Sequence, residues 1–324
     1  MRDGVVCSSV VSSQIQMHAE YGGVVPELAA REHLRNFLPV AHSALVQAGV
    51  TAEQLDAVAA TQGPGLPTAL LVGFKAGQAL AFALRKPFRG IHHHEAHLYS
   101  PWISGNPPRA HFEEFQPNVS LIVSGGHTML VHVESELKHR VLGGTIDDAA
   151  GECFDKAGKL MGLPYPAGPV IDRLAETGNP KAFDFPRPLL NDTNDDFSFS
   201  GLKTSIRYFL RDHPALLEND QSIRDLCASI QAAIVEVLVK KTLRAAKRIG
   251  VKCVTASGGV TCNRALRAEL ARVCERNQLT LRLAEKSLCT DNAAMIGILA
   301  ELKLLAGHDA VSLDEEIKPG WALV

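Results

Sequence analysis

The chain has 324 residues, 46% hydrophobic and 21% charged, a balance that suits a globular protein of two domains or one large one. A formal net charge of −2 excludes a global field that draws the whole molecule to nucleic acid, so RNA contact needs a local patch. The seven cysteines are odd in number, scattered through apolar stretches and without a CxxC pair. They read as reduced, mostly buried thiols of a cytoplasmic protein. No apolar run is long enough to cross a membrane without a glycine or a charge, and Met1-Arg2-Asp3-Gly4 lacks the apolar core of a signal peptide.

In chain order, the Val- and Ser-rich residues 5–15 predict a strand and 18–23 a loop. Pro26 opens a helix, as proline does at a first helical position, and two helices are predicted over 26–37 and 40–48. A short strand at 55–60 leads through Gly63-Pro64-Gly65 to a helix over 67–84. Strand, glycine turn and helix together aim backbone N–H groups at an anion; a turn that merely needs glycine explains the same residues. Residues 103–116 read as a crossover between lobes. Strands at 119–123 and 129–133 flank Ser124-Gly125-Gly126, a hairpin that allows close approach of a ligand. Helices are predicted over 149–161 and 169–176, an irregular polar excursion over 179–196, and long helix over 222–249. A strand at 253–256 ends in Ser257-Gly258-Gly259 before a helix from Asn263. A strand at 279–283 and a helix at 291–305 complete the alternation, which is an α/β pattern with ligand chemistry at strand ends.

His93 and His97 lie four apart in HHHEAH. On a helix they share one face and can grip one metal ion, zinc or iron; a solvated histidine run is the alternative. Asp291 serves either as a helix N-cap or as the carboxylate of a two-His, one-carboxylate site with open positions. Asp155 reads as a ribose acceptor or as a surface ion pair with Lys159. Asp147 and Asp148 read as acidic residues at a helix start, and Asn263 as a cap or a base or ribose contact. Lys240, Lys241, Arg244, Lys247 and Arg248, with Arg264, Arg267 and Arg272, form basic stretches that are either an RNA patch or solvated faces. A metalloprotease is a poor fit, because HExxH needs its glutamate directly after the first histidine and Glu95 is rotated off the ligand face.

The stretches HAEYGGVVPELAAREH, GPGLPTALLVG, HHHEAHLYSP, VSGGHTML, DDAAGECFDKAGKLMGLPYPAGP, DFSFSGLKTSIR, ASGGVTCNRALR and CTDNAAMI resemble the TsaD family. These are tRNA N6-adenosine threonylcarbamoyltransferases of the ASKHA (actin, sugar kinase, Hsp70) superfamily. The resemblance implies a two-lobed α/β fold with a central nucleotide cleft. Residues 1–115 with 295–324 would form one lobe and 116–294 the other. It implies that His93, His97 and Asp291 hold one divalent metal, Fe2+ in the first instance, with Zn2+ or Mg2+ as alternatives. It implies that Ile122, Val123, Ser124, Gly125, Gly126, Asp155, Gly168, Asp172 and Asn263 bind threonylcarbamoyl-AMP. The implied reaction is threonylcarbamoyl transfer to N6 of adenosine 37 in tRNAs reading ANN codons, with a TsaB-like ASKHA subunit and a TsaE-like ATPase as partners. No protein nucleophile is implied, so no catalytic residue is assigned.

The family pattern opens with a strand and an ETSCDET-type phosphate loop, and this chain begins at the equivalent of the next strand. The absent strand is expected to be central, which would leave its neighbours unpaired. The alternative reading is therefore an inactive or non-catalytic subunit of the same tRNA-modification complex. Ala96 replaces a glycine common in the metal motif, a change that adds helix propensity.

Overall fold

The computed structural model describes Met1–Val324 and divides into two units, one of Met1–Glu114 with Asp291–Val324 and one of Phe115–Thr290. In the first unit, residues 5–15 do not form the expected strand. Val5 bridges Arg2 and Arg109, and the segment pairs no further. It ends in a short helix, α1 (Ile15–Ala19), which takes in part of the expected loop. The two helices expected next are one, α2 (Pro26–Ala48), with Pro39 inside it. Proline removes one helical bond and crowds the carbonyl four residues back; here the flanking turns carry the helix past it. Gly49, at φ 66, closes α2 in the left-handed conformation.

Strand β1 (Val58–Gly63) pairs in parallel with β2 (Phe88–His92) through the crossover helix α3 (Pro67–Leu84). By length and apolarity α3 could cross a membrane. In this unit it buries Leu70, Phe74 and Ala81, and Phe74 packs edge-on to Phe88 with ring centres 5.1 Å apart. β2 runs directly into α4 (His93–Tyr99), and a small antiparallel ribbon, β3 (Ile103–Ser104) with β4 (Arg109–Ala110), follows.

The second unit begins with β5 (Asn118–Val123), β6 (Thr128–Ser135) and β7 (Lys138–Gly144), an antiparallel meander whose third strand was not anticipated. Helices α5 (Ala150–Leu160), α6 (Ala167–Ala175), α7 (Ser200–Asp212) and α8 (Asp220–Ile249) come next. β8 (Cys253–Ser257), α9 (Arg264–Arg276), β9 (Thr280–Leu283) and α10 (Lys286–Cys289) complete it. The sheet order is β7-β6-β5-β8-β9, with β8 parallel to both β5 and β9. β5 is buried along its whole length, as expected of a central strand covered on both faces. Leu121, Val123, Val254 and Ala256 of the sheet share a core with Ile230, Ile234, Val237 and Leu238 of α8, and each large side chain so buried contributes about 1.5–3 kcal/mol.

The chain then returns to the first unit. Asn292 caps α11 (Ala293–Leu305), its side chain accepting from the Met295 N–H at 2.9 Å. α11 packs on α4, β1 and β2. The tail beyond it follows the sheet. The Val311 N–H donates to the Phe88 carbonyl at 2.9 Å and the Lys318 N–H to the Gln62 carbonyl at 2.8 Å, while Val311 and Ile317 pack against Phe74 and Phe88.

Candidate active site

The histidine run straddles a strand end and a helix start. His92 is the N-cap of α4, its Nδ1 accepting from the Glu95 N–H at 3.3 Å, while its Nε2 lies 3.2 Å from the Trp321 carbonyl. His93 and His97 therefore occupy the first and fifth positions of one helix and face the same way, with ring centres 4.9 Å apart. Nε2 of each lies 3.4 Å from Oδ1 of Asp291. Ligand atoms bound to one ion at about 2.0–2.2 Å with tetrahedral angles are about 3.4 Å apart, so the three residues fit a shared metal. His97 is 1% exposed and neither of its ring nitrogens has a hydrogen bond of ordinary geometry, an arrangement that is costly without a partner. Burial lowers the His97 pKa, only partly offset by Asp291, so the ring is the neutral imidazole a metal needs. Partial desolvation raises the Asp291 carboxyl, but His93 and His97 outweigh it and hold it far below the usual carboxylate range. Because Asn292 is the cap of α11, the capping role weighed for Asp291 is not what its carboxylate does; it is 75% exposed and open to a ligand.

The three glycine turns part company. At Gly63-Pro64-Gly65 the Gly65 N–H donates to the Pro319 carbonyl at 3.2 Å, and a Cβ on Gly63 would run into the Lys318 carbonyl. These glycines accommodate the C-terminal tail, which replaces the anion-loop reading. The other two turns meet in the second unit. Gly258 has φ +94, and a Cβ there would strike the Val123 carbonyl; a Cβ on Gly151, in the first turn of α5, would strike the Ser124 carbonyl and the Gly125 backbone. Thus the ends of β5 and β8 and the start of α5 close together on Ser124-Gly125-Gly126. That turn is stitched by Ser124 N–H to the His127 carbonyl at 2.8 Å and His127 N–H to Ser124 Oγ at 3.2 Å. Gly125 and Gly126 are exposed, have no positive φ, and face open space where a side chain would stand.

The remaining expected donor-binding residues make hydrogen bonds at the starts of α6 and α9. Asp155 of α5 accepts from the Ala167 N–H at 2.8 Å and the Gly168 N–H at 3.4 Å, at the start of α6. That arrangement displaces the ion pair weighed with Lys159, and burial raises the Asp155 pKa against those bonds. Asp172 accepts from Arg264, at 3.1 Å from its N–H and 2.8 Å from Nε. Asn263 caps α9, accepting from the Leu266 N–H at 2.9 Å, and its amide donates to Gln231. Ile122 and Val123 are fully buried and offer a ligand only their backbone. Asp147 and Asp148 do not cap α5. Asp147 accepts from Phe199 and Ser200 N–H groups and both serine hydroxyls, of Ser198 and Ser200, at the start of α7, and Asp148 pairs with Lys156 and Lys203.

The basic stretches divide: Lys240, Lys247, Arg248, Arg264 and Arg272 are exposed, whereas Lys241 is buried and Arg244 and Arg267 are half-buried. Lys241 is fully buried and donates to the Asn194 carbonyl at 3.1 Å; Arg244 reaches the same carbonyl at 2.6 Å and Arg248 pairs with Asp195. Arg267 donates to the Thr261 and Ala284 carbonyls and to the Cys289 sulfur, and Lys240 and Arg272 pair with Glu236 and Glu269. These cations hold the irregular 179–196 segment and the α9 region in place. Sequence reading missed Lys303, which pairs with Glu95 at 2.6 Å; a lysine late in an apolar helix is the one trace of it in the sequence.

The sequence model of the family described as "tRNA N6-adenosine threonylcarbamoyltransferase" (TsaD) matches residues 5–298. A relative of that name from Acidovorax sp. (strain JS42) is 49% identical over 98% of this chain and 90% of its own. Another, from Geotalea uraniireducens (strain Rf4), is 46% identical over 100% and 92%. Among solved structures, full-length HypF in a phosphate- and nucleotide-bound form superposes with a TM-score of 0.59 at 13% identity, over 85% of this chain and 42% of that one. HypF from T. kodakarensis gives 0.58 at 13% identity, over 84% of this chain and 44% of that one. The chain spans less than half the length of HypF, and the likeness is one of α/β fold alone. With the family model matched over residues 5–298 and relatives of that name 46–49% identical along nearly the whole chain, the chain belongs to the tRNA N6-adenosine threonylcarbamoyltransferase (TsaD) family.

Proposed function

We propose that this chain transfers a threonylcarbamoyl group from threonylcarbamoyl-AMP to the N6 amine of adenosine 37 in tRNAs reading ANN codons. The observation that carries an active enzyme, rather than a degenerate subunit, is the His93, His97 and Asp291 triad, brought to 3.4 Å from two distant parts of the chain. A subunit that had lost its chemistry would have no use for a buried histidine whose ring nitrogens meet only the Asp291 carboxylate. The resident metal is Fe2+, with Zn2+ and Mg2+ as alternatives; when bound it supplies Lewis-acid stabilisation of charge on the departing phosphate.

The chain's own residues bind and orient. Ser124, Gly125 and Gly126, with the backbone of Ile122 and Val123, offer an open turn at a strand end, where a mixed carbamoyl-phosphate anhydride can lie against the main chain. Asp155, Gly168, Asp172 and Asn263, held by hydrogen bonds at the starts of α6 and α9, supply its remaining contacts. AMP is a good leaving group, so holding donor and amine in line accounts for catalysis without a covalent nucleophile. The Cys153 and Cys227 thiols fit that reading: burial pushes both up to about 12, which leaves them inert.

The exposed apolar residues Leu34, Leu38 and Val46 of α2, with Leu71 and Phe82 of α3, recur at helical spacing and support a TsaB-like partner subunit. A TsaE-like ATPase completes the assembly, and the location is cytoplasmic. The test is incorporation of labelled threonine into tRNA from threonine, bicarbonate and ATP, with the partner proteins and the enzyme that makes the donor. Incorporation is expected, and its survival in a His93→Ala, His97→Ala double variant would overturn the metal reading.

A further inference from the structure

Glu95 lies within the ligand helix but points away from the ligand face. It is two residues from each of His93 and His97, about 200° around the axis from either at 3.6 residues per turn. Its carboxylate is 8% exposed and meets the Lys303 ammonium, 17% exposed, at 2.6 Å. Lys303 is on α11, the helix that begins two residues after Asp291. One pair of opposite charges therefore joins the helix that carries two ligands to the helix whose start carries the third.

α4 and α11 pack together and both carry fully buried apolar residues. Ala96, Leu98, Ile298 and Leu299 are all at or below 1% exposure. Apolar packing is non-directional, so it holds α4 against α11 without choosing the rotation of α4 about its own axis. An ion pair at 2.6 Å does choose it. A buried ion pair is seldom more stabilising than apolar residues of equal volume, and its best-attested use is to specify one arrangement. α4 has seven residues, barely two turns, too short to be kept in place by its own hydrogen bonds. α11, at 13 residues, is a rod of about 20 Å.

We propose that Glu95 and Lys303 are positioning residues for the metal centre: their ion pair sets the rotation of α4 so that His93 and His97 meet Asp291. This rests on the metal reading of that triad. Neither residue touches the ion or the substrate; both act through the histidines, as partners behind metal ligands do elsewhere.

The test uses the full chain loaded with Co2+, whose d–d absorption reports ligand geometry, with affinity taken from chelator competition and melting temperature followed in parallel. Glu95→Gln and Lys303→Met are each expected to weaken Co2+ binding about 10- to 100-fold and to alter the absorption bands. The double variant should fall no further than the worse single, and the exchange Glu95→Lys with Lys303→Glu should recover part of the affinity. If Glu95→Gln fails to fold, Glu95→Asp, which draws the charge back by one methylene, is read by the same two measures. Variants that bind Co2+ within twofold of the parent, with unchanged bands and only a lower melting temperature, overturn the proposal and leave the metal reading intact. A parent chain that binds no Co2+ overturns both.

Discussion

Replacing Gly125 with alanine separates a glycine required by the fold from one required by a ligand. At Gly125 neither a positive φ nor a neighbouring atom within 4 Å asks for glycine. Alanine there should leave stability unchanged or raise it by up to about 1 kcal/mol, because it restricts the unfolded chain. At Gly151, by contrast, the added methyl runs into the Ser124 carbonyl, and such overpacking costs about 1–3 kcal/mol. If the open side of the turn is where threonylcarbamoyl-AMP lies, the Gly125→Ala methyl occupies the ligand's space. The same 1–3 kcal/mol then falls on binding, a loss of roughly 5- to 150-fold in affinity. Chemical denaturation would measure the first effect, and calorimetry with threonylcarbamoyl-AMP or AMP the second. A stable Gly125→Ala protein that binds the nucleotide as the parent does would refute the assignment of this turn.

Other outcomes follow from the same geometry. Gly258→Ala combines a positive φ with a collision against the Val123 carbonyl and should destabilise by at least about 1–3 kcal/mol in denaturant melts. His97→Ala, or prolonged chelation of the parent, should abolish transfer while far-ultraviolet circular dichroism is retained, since α4 and its His92 cap remain; full transfer activity after metal removal verified by elemental analysis would contradict this. At Asp147, desolvation raises the pKa, but hydrogen bonds from Ser198, Ser200 and Phe199 outweigh it and depress the folded value. The contribution of Asp147 to stability is accordingly present above its unfolded value of about 3.9 and lost as pH falls through the lower folded value. Asp147→Asn should flatten that acid limb in pH-dependent melts and cost about 1 kcal/mol at neutral pH as a weakened cap. Leu38→Glu and Phe82→Glu should weaken association with the partner subunit in pull-downs while leaving the melting temperature of the isolated chain within a few degrees, because both side chains are more than 70% exposed.

Much of this protein is determined by sequence alone, where the signal is local. Apolar runs ending in glycine place β5 and β8, and proline at a first turn places α3 with the bounds observed. The spacing of His93 and His97 is itself a statement about helix geometry. The motif run determines the family before any coordinate is known. What failed locally failed because the competing effect was not local. Residues 5–15 have strand composition but pair only at Val5, and a strand is defined by its neighbour rather than by its own residues. Pro39 is tolerated inside α2 because the turns on either side of it hold.

The tertiary structure decided the roles of single polar groups. It took Asp291 out of the cap and set it beside the histidines, since Asn292 does the capping. It gave Gly63 and Gly65 to the C-terminal tail rather than to an anion, and turned Lys241, Arg244 and Arg267 inward while leaving Arg248 at the surface beside Asp195. It joined Glu95 to a lysine 208 residues away. Each of these depends on which distant segment satisfies a buried donor or acceptor. Sequence spacing carries a side chain's type and its face, but only the folded chain determines its partner.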